Sequence, residues 1–83
     1  METIEEYSNN KELWGKVFIL KSKQFGTHTF LVSKFPSKSW YDKNLFIDLE
    51  NEWANTLHYS SVNNDEILKV FANLKDWINR EVL

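Results

Sequence analysis

Two runs rich in β-branched and aromatic residues, joined by a short segment ending in glycine, constrain this chain most. Residues 13–21 (Leu-Trp-Gly-Lys-Val-Phe-Ile-Leu-Lys) and 27–35 (Thr-His-Thr-Phe-Leu-Val-Ser-Lys-Phe) both have strand composition. Between them, 22–26 (Ser-Lys-Gln-Phe-Gly) reads as a hairpin loop, with Gly26 able to take positive φ. The pair predicts an antiparallel hairpin. Pro36 ends it, because proline has no amide hydrogen to give to a sheet ladder. On such a strand Phe18 and Leu20 share one face, and Val17 and Ile19 share the other. Apolar residues on both faces predict cover on both sides.

Further along, Leu45, Ile47 and Leu49 alternate with Phe46, Asp48 and Glu50, the period of a strand. A turn at Asn51 then leads to a further strand candidate over 53–60. Phe46, Leu49, Trp53 and Leu57 also fit one face of a helix over 43–58. The two-strand reading is preferred, since Thr56, Tyr59 and the Leu45-Phe46-Ile47 run favour strands and asparagine is poor inside a helix. Asn63 with Glu66 three residues on has the form of a capping box, and Asp65 and Glu66 suit a helix N-terminus. Ile67, Phe71, Leu74, Ile78 and Val82 then recur at helical spacing, widened by Leu68, Val70 and Trp77. This predicts an amphipathic helix across 64–82. Residues 1–12 are polar apart from Met1, Ile4 and Tyr7, and fit a short helix and a partly ordered arm equally well. The expected fold is α+β: a small antiparallel sheet of three or four strands with a C-terminal amphipathic helix packed on one face.

A length of 83 residues fits a single domain over 1–83, which buries about 64% of its unfolded surface. The absence of cysteine removes disulfides, thiolate metal sites and cysteine nucleophiles. Two glycines and one proline leave no glycine-rich phosphate loop. Ten basic residues stand against twelve acidic ones, for a formal net charge of −2, and only Arg80 among the basic residues is arginine. That balance argues against a nucleic-acid partner, whose phosphates supply most of the affinity to basic proteins. The longest apolar run, Val17 to Leu20, is far short of the ~20 residues of a transmembrane helix. The acidic start, Met1 to Glu6, is unlike a secretory signal, so a cytoplasmic location with no membrane partner is expected.

His28 and His58 stand 30 residues apart without a metal-ligand spacing, and no serine lies in a Gly-x-Ser-x-Gly elbow. Neither a metal nor a cofactor is expected. Asp48, Glu50 and Glu52 alternate, so a strand would put them on one face, for acid–base chemistry, a magnesium ion or plain solvation. Solvation is the simplest of the three. Four tryptophans and three tyrosines are many for so short a chain, and such side chains are enriched at interfaces. Trp40 and Tyr41 lie in the polar segment 36–44 beside Lys38 and Lys43, suited either to anchoring a partner or to capping the sheet end. The function expected is a small non-catalytic protein-binding module, an inhibitor or antagonist of the immunity-protein, antitoxin or phage anti-defence type. Trp40 and Tyr41 would anchor it on a larger protein, with Lys38, Lys43, Asp48, Glu50 and Glu52 as the rim. A homodimer is also open, through an unpaired edge strand. The alternative is a single-stranded nucleic-acid binder that stacks bases on Phe18, Phe30 and Trp40. A hydrolase using Asp48, Glu50 and His58 comes third.

Overall fold

The computed structural model describes residues 2–4, 10–24, 26–34, 44–50, 56–58, 62 and 64–80. Val17–Ser22 forms strand β1 and Gly26–Lys34 forms β2, paired antiparallel from Val17 opposite Leu31 to Ser22 opposite Gly26. This is the expected hairpin, and Gly26 has φ +77°. Gly15, at φ +86°, leads into β1; its N–H donates to the Val32 carbonyl at 2.8 Å. Side chains rarely adopt either backbone conformation, which explains glycine at both positions. Asn44–Asp48 forms β3 on the far side of β2, and Thr56–His58 forms β4 beyond it, so the strand reading of 45–60 holds at both.

The C-terminal segment departs from expectation. Glu66–Phe71 is a fifth strand, β5, antiparallel to β1, and the helix α1 is confined to Leu74–Ile78. The strand order is β4-β3-β2-β1-β5. A helix across 64–82 is therefore wrong over its first half. The reason is tertiary. Val17 and Leu20 are fully buried, so the β1 edge opposite β2 has little access to water and its polar backbone groups need partners. Ile67, Val70 and Phe71 have strand propensity enough to supply them. The helix begins only after Asn73, whose side-chain oxygen accepts the Asp76 N–H at 2.8 Å. Between Ile19 and Leu20 the register slips, so Leu68 is the extra residue of a β-bulge.

The core lies on one face of the sheet. Phe18, Leu20, Phe30, Val32 and Phe46 form it together with Ile4, Leu13 and Val62, and Ile67 packs against it. Phe30 and Phe46 meet edge to face, with centroids 6.3 Å apart. The other face carries a row of Ile47, Leu31, Val17 and Phe71 across β3, β2, β1 and β5. Val17 and Phe71 in this row are buried, as expected for a strand covered on both sides. Of the first twelve residues, Thr3 bridges to Glu66, the Ile4 N–H donates to the Asp65 carbonyl at 3.1 Å, and a 3-10 turn spans Lys11–Leu13. Ile4 is thereby a core residue that ties the start of the chain to the head of β5. Among the described residues no helix is long and apolar enough to cross a membrane.

Candidate functional site

Of the residues assigned by sequence to a partner-binding rim, Lys38, Trp40, Tyr41, Lys43 and Glu52 lie outside the described residues. Asp48 and Glu50 lie within them, and only Glu50 is exposed. Asp48 is 8% exposed, which corrects the expectation that it lies on a solvated face. Register explains this: Asp48 stands opposite Phe30 on β2, in the row that leads to Phe18, so it faces the core side. One carboxylate oxygen, Oδ1, accepts the Glu50 N–H at 2.9 Å. The other, Oδ2, lies 3.6 Å from Nδ1 of His28, the diagonal neighbour on β2. The histidine that meets Asp48 is therefore His28; His58 is aligned with Leu45 at the other end of β3.

His28 stacks on Phe30 at 6.0 Å and also acts on Asp65 at the head of β5. Burial pushes the Asp65 carboxyl above its ordinary value, and the charge of His28 pulls part of that shift back. Among the described residues no three histidine, aspartate or glutamate side chains gather closely enough to hold a metal ion. A groove of about 240 Å³ lined by Lys21, Ser22, Lys23, Asn64 and Glu66 lies nearby on the surface. It is smaller than the ~300–1,000 Å³ of typical ligand pockets, and no hydrophobic or aromatic residue lines it.

The aromatic rings divide by burial. Phe18 and Phe30 are sealed in the core, so they offer no stacking platform to a nucleic-acid base. Trp14 is partly exposed, but its indole N–H donates to the Asn44 side chain at 2.8 Å, and Asn44 donates to the Asn10 carbonyl at 3.0 Å. Asn44 is buried, so this chain of bonds fastens the 3-10 turn to β3. Trp14 is thus an anchor of the fold.

Among the described residues, the large aliphatic side chains left exposed lie at the C-terminal edge. Leu68 is 49% exposed, Val70 43%, Leu74 37% and Ile78 59%. Leu68 projects from the bulge of an edge strand, and Leu74 and Ile78, four residues apart, share a face of α1. Two cations are held against rings there. Lys69 Nζ lies 4.9 Å from the centre of the Phe71 ring, and the Arg80 guanidinium lies 4.2 Å from that of Trp77. Arg80 also donates to the Trp77 carbonyl at 2.7 Å. Sequence reasoning missed this surface because it placed all four aliphatics on a helix that closes the core. The signal was present in Asn73-x-x-Asp76, a second asparagine cap ten residues after the first candidate. Comparison of the chain with protein-family models, with curated proteins and with solved structures finds no match.

Proposed function

We propose that this chain is a small non-catalytic protein-binding module that acts by occupying a surface of a larger protein, as inhibitors and antagonists do, whether of immunity-protein, antitoxin or phage anti-defence type. The observation that carries the reading is the set of Leu68, Val70, Leu74 and Ile78, all large, aliphatic and at least a third exposed, on the β5 edge and α1. Leaving such side chains in water forgoes roughly 25 cal/mol for each Å² of apolar surface, a loss that docking recovers. Trp77 and Arg80 beside them are residue types enriched among binding hot spots. The sheet and its core then serve as a rigid mount. Trp40 and Tyr41, expected as anchors, are not needed for this surface.

The test is retrieval of a partner by the tagged full chain from its native cells, beside Val70→Asp and Ile78→Asp variants whose melting temperatures match the wild type. A protein recovered in stoichiometric amount by the wild type and lost by both variants supports the module. Equal retrieval by variants and wild type refutes this surface. A nucleic-acid component removable by salt would favour a nucleic-acid partner instead.

A further inference from the structure

We infer that α1 is an arm pinned by Trp77 alone, and that it leaves and rejoins the sheet while the strands stay folded. From Ala72 to Arg80, Trp77 is the one residue that is not exposed. Leu74 and Ile78, the positions that an amphipathic helix would bury, are 37% and 59% exposed. Among the described residues, the hydrogen bonds of this segment also begin and end inside it. Asn73 Oδ1 accepts the Asp76 N–H, the Trp77 N–H donates to the Asn73 carbonyl at 3.3 Å, and the Asn79 N–H donates to the Lys75 carbonyl at 3.0 Å. Arg80 donates to the Trp77 carbonyl through both its backbone and its guanidinium. These bonds shape the arm and do nothing to fasten it to β5.

Trp77 is itself an imperfect pin. Its indole N–H is buried and finds no acceptor among the described residues. A buried donor without a partner gives up the hydrogen bonds of water, which cancels part of what packing the ring gains. The Arg80 guanidinium, 4.2 Å over the same ring, belongs to the arm and moves with it. Segments with few buried contacts open at a small fraction of the free energy that unfolds the whole chain. The inference goes beyond the docking reading and needs no partner. Leu68 and Val70 stand on or beside the sheet edge, while Leu74 and Ile78 ride on the arm. The two pairs therefore keep a fixed spacing only while Trp77 is seated.

The experiment is hydrogen exchange by NMR on the full chain and on Trp77→Ala, each rate taken against its intrinsic value. The buried indole N–H of Trp77 exchanges when the ring leaves the sheet. The Val32 amide, which donates to the Lys16 carbonyl at 3.0 Å beside the core, reports opening of the sheet itself. The result expected is an indole protected at least about a hundredfold less than the Val32 amide. In Trp77→Ala the Asn79 and Arg80 amides should lose protection. Val32 should then lose no more than the factor by which the wild-type indole was protected, since removing a pin costs only the docking that the pin supplied. Equal protection of the indole and Val32 overturns the inference, because the ring then leaves only with the whole fold. A larger loss at Val32, or failure of Trp77→Ala to fold, overturns it by making Trp77 part of the core. No partner enters these measurements, so the arm and the docking surface stand or fall separately.

Discussion

Truncating Phe46 to alanine tests the packing argument most directly. Phe46 is fully buried, lies next to Val32 across the β2–β3 ladder and meets Phe30 edge to face. Phe→Ala in such a site costs about 3–5 kcal/mol, of which the ring–ring contact supplies roughly 0.5–1.5. A domain of this length has about 4–12 kcal/mol of stability in all. The change therefore removes about a quarter of the stability at the least, and unfolds the chain at the worst. With about 4–8 °C per kcal/mol for a domain this size, a 4 kcal/mol loss lowers the melting temperature by about 16–32 °C. Urea unfolding followed by far-ultraviolet circular dichroism gives the free energy, with an unchanged slope showing that the native state has kept its compactness. Phe46→Leu keeps most of the volume and should lose about 1–2 kcal/mol. Ile78→Ala, at an exposed position, should change stability by less than ~0.5 kcal/mol. A Phe46→Ala loss below about 1 kcal/mol, or an Ile78→Ala loss as large, would refute the placement of the core on the Phe46 face.

The buried Asn44 accepts from Trp14 and donates to Asn10, so Asn44→Ala leaves two groups without partners and should cost about 2–4 kcal/mol in urea unfolding, with altered tryptophan emission. Gly26 has φ +77° with open space around its Cβ direction, so Gly26→Ala should cost about 1–2 kcal/mol from backbone strain alone. Gly26→Asn, better suited to that conformation, should recover part of the loss in the same unfolding assay. Asp65 differs in the sign of its effect. Its folded pKa is raised, so the native state holds the proton more tightly than the unfolded chain, and stability falls as pH rises through the window between the ordinary value of 3.8 and the folded one. The stability of Asp65→Asn relative to wild type should accordingly increase from below that window to neutral pH. A difference that is flat or declines over this range, in paired urea titrations, contradicts the burial account.

The hairpin was legible because its evidence is local. Strand composition, a loop ending in Gly26 and the stop at Pro36 need no knowledge of the rest of the chain, and β1 and β2 fall where they point. The 45–60 segment was legible for the same reason: β-branched residues and asparagines outweighed a helical stripe that existed only on paper. Residues 66–71 were misread because two periods overlap there. Ile67 and Phe71 are a helical pair by spacing, yet Leu68 in a bulge lets Ile67 pack toward the core while Phe71 goes to the other face. A bulge leaves no trace in a hydrophobic period, and the need of β1 for a second neighbour is visible only once the sheet exists. Asp48 was misread in the same way. Alternation correctly set it apart from Ile47 and Leu49, but only the register shows that its face is the inner one. Ile4 stood out with Tyr7 only as an apolar residue of a short helix or arm, and nothing local shows that it enters the core.

The order of the strands also sets a timetable. β1 pairs on one side with β2, which follows it at once, and on the other with β5, which comes last. Thirty-seven residues separate Lys34, the end of β2, from Phe71, the end of β5. At about 5–20 residues per second, a ribosome needs roughly 2–7 s to make them. Throughout that interval the hairpin has a bare inner edge, and Ile4 has no Asp65 carbonyl to hold it. Ile4 and β1 must therefore wait for β5 before either is secured. A nascent chain stalled before residue 66 would thus present an open, apolar strand edge to whatever lies beside it, the situation in which strands pair with the wrong neighbour.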